Sequence, residues 1–206
     1  MNGYETEAKF FVKNLGMIEL RLQELKAQLI QLRTHETNLR FDNGKNELRK
    51  SSRVLRLRQD EKARFTFKGP SIELSDGLLT RREIEFIVED FEKAREFLEA
   101  LGYKVVVIYE KFRAVYELND IHIMLDELPY GEFVEIEGKN VDTIHNIANQ
   151  LELNWSKMVK DSYHTLFEQV ALKFNLESSR LTFKALEKVK ISAGDLRIEA
   201  ADEHSA

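Results

Sequence analysis

Cysteine is absent from this chain of 206 residues, which excludes disulfides, thiolate metal sites and a cysteine nucleophile. No apolar run approaches the roughly 18 residues that a membrane-spanning helix needs. A basic excess is missing too. With a net charge of −5, no global positive field argues for nucleic acid. The first residues are acidic and strand-like, without the basic and apolar regions of a signal peptide, so a cytoplasmic protein without a membrane partner is expected. Only two prolines occur, and no Pro/Ser linker, repeat or low-complexity tract divides the chain. Its length suits one large domain, or one domain with an appendage, able to bury a real core.

Charge is abundant, at 33% of residues against 43% hydrophobic, and its placement is regular. Side chains two apart share a face of a β-strand. Glu5, Glu7 and Lys9 therefore lie on one face, and Tyr4, Thr6, Ala8 and Phe10 on the other. One such strand would be an ordinary edge strand, but the alternation recurs. Arg40 falls in a strand over 37–42 that ends at the Asn43-Gly44 turn. Arg56 and Arg58 oppose Leu55 and Leu57, and Arg64, Thr66 and Lys68 oppose Phe65 and Phe67, so the two segments read as a hairpin closed by Gly69-Pro70. A loop over 71–78 leads to Arg81, Glu83 and Glu85, opposed by Ile84 and Phe86. Lys111 and Arg113 lie in a long strand over 103–118. His122, Met124 and Asp126 alternate with Ile121, Ile123 and Leu125. After Pro129-Tyr130-Gly131, Phe133, Glu135 and Glu137 alternate with Val134 and Ile136.

Amphipathic helices are predicted over 12–34, on Leu15, Ile18, Leu22, Leu25, Leu29 and Leu32, over 90–101 with Gly102 as C-cap, and over 142–151. Further helical stretches are expected at 161–174 and 178–189, and residues 194–206 are expected to fray. The apolar outer faces of the strands are where the helix stripes can dock. The charged faces then point elsewhere, and a closed antiparallel barrel would make them a lumen. Opposite charges in such numbers need partners. Glu-x-Glu pairs are hard oxygen ligands suited to Mg²⁺ or Mn²⁺, and Arg and Lys suit phosphate oxygens. Acidic metal ligands beside many bases are the chemistry of phosphoryl transfer.

The order Glu5-x-Glu7-x-Lys9, Arg56-x-Arg58, Lys68, Arg81-x-Glu83-x-Glu85, Lys111-x-Arg113, Asp126, Gly131 and Glu135-x-Glu137 resembles the triphosphate tunnel metalloenzymes of the CYTH superfamily. That superfamily includes class IV adenylyl cyclases, thiamine triphosphatases and inorganic triphosphatases. The match runs over residues 4–163, ending at Ser162-Tyr163. It implies an α+β protein: an eight-stranded antiparallel barrel with helices packed outside, a tunnel domain over 1–175, and a C-terminal helix with a disordered tail over 176–206. By position, it implies that Lys9, Arg56, Arg58, Lys68, Arg81, Lys111 and Arg113 grip a triphosphate. Glu5, Glu7, Glu135 and Glu137 would hold Mg²⁺ or Mn²⁺, with Glu83 and Glu85 as further ligands or water-orienting carboxylates. Asp126 would position a base or a metal-bound water. Asp126, Glu85 and Lys9 form the catalytic set.

Arg40 and Arg64 share the charged faces outside the firmest part of the pattern. Lys160 is read as a solvated lysine, His122 as a structural histidine rather than a proton shuttle, and Trp155 as packing. His35, His145, His164 and His204 lack metal-ligand spacing. The C-terminal helices either close one tunnel end or mediate dimerisation. The expected activity is hydrolysis of inorganic triphosphate or a nucleoside triphosphate. Adenylyl cyclase, thiamine triphosphatase and a non-catalytic polyphosphate- or nucleotide-binding module are the alternatives.

Overall fold

A computed structural model describes residues 4–74 and 78–203, the side chains of Tyr4, Glu5 and Leu79 excepted. In chain order the elements are β1 (Tyr4–Val12), α1 (Leu15–Glu24), β2 (Gln28–Asp42), α2 (Glu47–Lys50), β3 (Val54–Gln59), β4 (Ala63–Lys68), β5 (Ile72–Glu73) and β6 (Leu79–Val88). They continue as α3 (Phe91–Ala100), β7 (Lys104–Leu118), β8 (Ile121–Leu128), β9 (Gly131–Gly138), α4 (Val141–Gln150), α5 (Tyr163–Phe174), β10 (Arg180–Leu181), α6 (Phe183–Leu186) and α7 (Ala193–Leu196). Eight strands pair antiparallel in the order β1-β9-β8-β7-β2-β3-β4-β6, and β6 returns to β1, so the sheet is a closed ring. Closure removes the exposed sheet edges on which strands of other chains could add.

Alternation then sorts the side chains. The outward residues Ala8, Phe10, Ile123, Leu125, Val134 and Ile136 are buried beneath α1 and α4. Leu39, Phe41 and Leu57 are covered by Ala94 and Leu98 of α3. Gly131 joins β8 to β9 at φ +155, where a Cβ would stand 2.8 Å from the Phe11 ring; a side chain there is excluded by both backbone and space.

Three expectations are corrected. The helix over 12–34 stops at Glu24: Lys26 takes a left-handed φ of 59°, and β2 begins at Gln28. Leu15, Ile18 and Leu22 are buried as their spacing predicts, but Leu29 and Leu32 are exposed strand residues. Pairing with the equally long β7 overrides the helical period. The helical stretch over 178–189 instead holds β10, parallel to β7, and the short α6. The loop over 71–78 carries the two-residue strand β5 beside β6, residues 75–77 lying outside the described residues.

Of residues 194–206, expected to fray, the described ones, 194–203, pack against the barrel. Leu196, Ala200 and Ala201 are buried, and the Ala201 amide donates to the Phe11 carbonyl at 2.8 Å. Their small apolar side chains dock where charge counting alone suggested a solvated tail; His204 lies outside the described residues. Together with α5 they cover Phe11, Leu128, Tyr130 and Phe133, an apolar cluster over that part of the ring.

A charged tunnel as the candidate active site

Five of the eight strands turn cationic side chains of the matched pattern into the ring: Lys9 from β1, Arg56 and Arg58 from β3, Lys68 from β4, Arg81 from β6, and Lys111 and Arg113 from β7, while Asp126 on β8 anchors the last two. Register explains the pairing. Arg113 is directly opposite Asp126 across β7–β8, and Lys9 is opposite Glu135 across β1–β9. Arg113 Nε donates to Asp126 Oδ1 at 2.6 Å, and its Nη2 bridges Asp126 and Glu135. Lys111 Nζ donates to Asp126 at 3.1 Å. The Lys9 ammonium lies 3.2 Å from Glu135, 3.9 Å from Glu7 and 4.5 Å from the centre of the Tyr163 ring.

On the opposite wall, Arg58 donates to Glu85 at 3.0 Å, and the Thr66 hydroxyl donates to the same carboxylate at 2.8 Å. Arg56 reaches Thr66 at 3.0 Å and the Tyr109 hydroxyl at 3.3 Å. Lys68 pairs with Glu83 at 2.8 Å, its register partner on β6. Arg81 lies 3.7 Å from Glu7.

Two residues of the expected catalytic set are ion-paired. Asp126 is fully buried and accepts from Arg113, Lys111 and the Tyr163 hydroxyl, the last at 2.8 Å. Its oxygens face cations because the strand register sets Arg113 opposite it. Lys9 is buried, which by itself would favour the neutral amine, but Glu135 and Glu7 hold its pKa above the usual value. It therefore acts as a fixed positive charge. Glu135, buried likewise, is held well below the carboxylate range by Lys9, Arg113 and Lys111.

Sequence reading missed Glu36, Asn38, Asp60 and Tyr109. Glu36 is 1% exposed and joins the two walls, 3.6 Å from Arg58 and 3.7 Å from Lys111. Asn38 is fully buried, and neither its amide nitrogen nor its oxygen has a hydrogen-bond partner. Their signal was parity: both share a β2 face with Arg40, but the predicted helix reached almost to Glu36 and hid it. Asp60, read as a turn residue, pairs with Arg58 and Arg64 from beneath. Outside the tunnel, Lys160 pairs at the surface with Glu73 at 2.6 Å, and Trp155 packs on Phe10 and His145. His122 is half-exposed, 3.5 Å from Glu117.

Glu36 gives a pH prediction. Burial alone would raise its carboxyl pKa; the fields of Lys111, Arg113, Arg58 and Arg56 overcome burial and lower it from 4.5 to about 2. The folded value lies below the unfolded one, so the contribution is complete above about pH 4.5 and is lost as pH falls through about 2. At roughly 1.4 kcal/mol per unit, that loss is on the order of 3 kcal/mol. Urea unfolding between pH 6 and 2.5 is expected to show a steeper acid loss for the native chain than for Glu36→Gln; parallel curves would refute the assignment.

The donor set fits a hard divalent cation. Glu7 and Glu137 are directly opposite across β1–β9, a like-charge pairing that by itself destabilises a sheet, and Lys9 and Arg81 lie beside Glu7. Glu5 lies two residues away on the same β1 face, its side chain outside the described residues. Among the described residues, no three acidic or histidine side chains already converge on one point.

The site is thus the interior of an antiparallel barrel lined by register-paired ions. The chain belongs to the CYTH domain family, whose profile matches residues 3–163; as a class, the enzymes of this family depend on metal. A Methanocaldococcus jannaschii protein provisionally named as an adenylate cyclase is 28% identical over 170 residues, covering 77% of this chain and 95% of that protein. Adenylate cyclase CyaB of Aeromonas hydrophila is 24% identical over 179 residues, covering 81% and 90%. Among solved structures, a Vibrio parahaemolyticus protein provisionally described as an adenylate cyclase superposes with a TM-score of 0.74 at 20% identity, covering 82% of this chain and 99% of that one. A Hippeastrum protein described as an adenylyl cyclase with a dominant triphosphatase activity superposes with a TM-score of 0.61 at 18% identity, covering 81% and 96%. Among the described residues, no helix is long and apolar enough to cross a membrane.

Proposed function

We propose that the protein is a metal-dependent triphosphate phosphohydrolase acting on inorganic triphosphate or a nucleoside triphosphate. One observation carries this reading: the closed ring turns cations from β1, β3, β4, β6 and β7 onto one interior, Lys9 and Lys111 buried, beside the like-charged pair Glu7 and Glu137. Phosphoryl transfer needs mainly positioning and charge neutralisation, and this interior offers both. In the proposed reaction a water oxygen bonds to the terminal phosphorus as the bridging P–O bond breaks, and diphosphate leaves from inorganic triphosphate or a nucleoside diphosphate from a nucleoside triphosphate. Arg56, Arg58, Lys68, Arg81, Lys111 and Arg113 would bind and orient the phosphoryl oxygens. Lys9, kept protonated by its acid neighbours, would offset the charge gathering on the leaving oxygen. Glu85, fixed by Arg58 and Thr66, would orient the attacking water and accept its proton. Glu7 and Glu137, with Glu5, would hold Mg²⁺ or Mn²⁺. The metal supplies Lewis-acid neutralisation of phosphate charge.

Adenylyl cyclase is the second reading, favoured by the names of the two relatives; there the ribose 3′-hydroxyl attacks the α-phosphorus and pyrophosphate leaves. The test is chromatographic separation of products from triphosphate, ATP and thiamine triphosphate, with Mg²⁺ or Mn²⁺, at neutral and alkaline pH. Orthophosphate, absent from a Glu5→Gln/Glu7→Gln double variant, is the expected result. Cyclic AMP with pyrophosphate would establish the cyclase instead. Tight triphosphate binding without turnover would leave a binding module.

A further inference from the structure

The basic interior does not end at Arg56. Its register partner across β2–β3 is Arg40, which makes no hydrogen bond or ion pair among the described residues. Arg40 lines a cavity of about 100 Å³ between the end of β2, the start of β7, the α2 turn and α5. Arg49, Arg53, His164, Asp42 and Glu168 also line it.

Its charges do not cancel. Asp42 is engaged by the backbone amides of Asn43, Leu48 and Arg49, at 2.8, 3.0 and 2.9 Å. Glu168 is taken by Arg49 at 2.6 Å. Arg53 donates only to the Ser51 hydroxyl, at 2.7 Å. Two guanidinium groups therefore face the cavity without a carboxylate. Burial, reinforced by Arg40, lowers the His164 imidazole to about 4, so it is neutral near pH 7. Its Nε2 lies 3.6 Å from Glu168, and its buried Nδ1 has no hydrogen-bond partner among the described residues. Unpaired guanidinium groups in such a place suit an anion better than a neutral base.

We propose that this cavity is a further phosphoryl subsite, bound by Arg40 and Arg53, which extends the tunnel to linear polyphosphates one unit longer than triphosphate. The proposal rests on the triphosphate reading, since a chain gripped at Arg56 is what brings the next phosphoryl group to Arg40.

Calorimetric titration of the full chain with triphosphate and linear tetraphosphate, with a chelator present to prevent turnover, tests it. The native chain is expected to bind tetraphosphate about tenfold more tightly than triphosphate, as one added charge-assisted contact predicts. Arg40→Gln and Arg53→Gln should each bring that ratio close to one, with triphosphate affinity held within about twofold. A native ratio near one, or a ratio that both variants keep, would overturn the subsite and leave the triphosphate tunnel standing. Binding of neither anion would overturn both.

Discussion

Asp126→Asn is expected to cost the barrel about 3–5 kcal/mol, the usual penalty for removing one partner of a buried ion pair. Asp126 is fully buried beneath Arg113, Lys111 and Tyr163. Asparagine fits the volume and keeps one acceptor oxygen, but its amide nitrogen would face cationic donors with no lone pair to offer. Lys111 keeps Glu36 at 3.7 Å and Arg113 keeps Glu135, so the loss is partial rather than complete unfolding. Denaturant titration at pH 7 measures it. A binding experiment separates this positioning role from a role in chemistry, because subtracting a negative charge from the interior favours an entering polyanion. Triphosphate should therefore raise the melting temperature of Asp126→Asn by at least as much as that of the native chain. A variant as stable as the native chain would remove Asp126 from the scaffold of the tunnel.

The second large effect belongs to the acid pair. Glu7→Gln combined with Glu137→Gln should lower metal-supported turnover at least about 100-fold, by analogy with the cost of disturbing a metal's ligand surroundings. Stability should change little or rise, because a like-charge pair directly across β1–β9 is removed. Triphosphate affinity measured with a chelator should hold or increase, since two repelling charges are gone. The divergence of these readouts identifies a metal-holding role: a merely structural pair would lose stability and activity together. Turnover over a Mg²⁺ and Mn²⁺ titration reads the first quantity and calorimetry the last. Turnover within a few-fold of native across both metals would rule the pair out as ligands.

The period-two alternation of charge and apolar residues determined most of this architecture by itself. The charged faces from Glu5 to Glu137 name the strands, and a closed ring keeps them on one side, with apolar faces such as those of β1, β8 and β9 beneath helices and that of β6 left exposed at Ile84 and Phe86. Where the pattern was clean, as in Glu135-x-Glu137 against Val134 and Ile136, strand and facing both hold. It failed where two periods overlap. Leu25, Leu29 and Leu32 continue a helical spacing, and only the long partner β7 decides that the chain is extended from Gln28. That error hid Glu36, whose position between Arg58 and Lys111 comes from strands far away in sequence. The order of charges in the chain likewise does not say which acid meets which base. Only the β7–β8 register and the fold around it show that the bases meeting Asp126 are Arg113 and Lys111. The tail from Ala193 reads as solvated until Leu196, Ala200 and Ala201 find an apolar surface that exists only once the ring is closed. Composition and periodicity settled which residues can face the tunnel, because side-chain direction in a strand is local. Pairing, burial and the unpartnered Arg40 were decided by tertiary structure, because each depends on which strand becomes a neighbour.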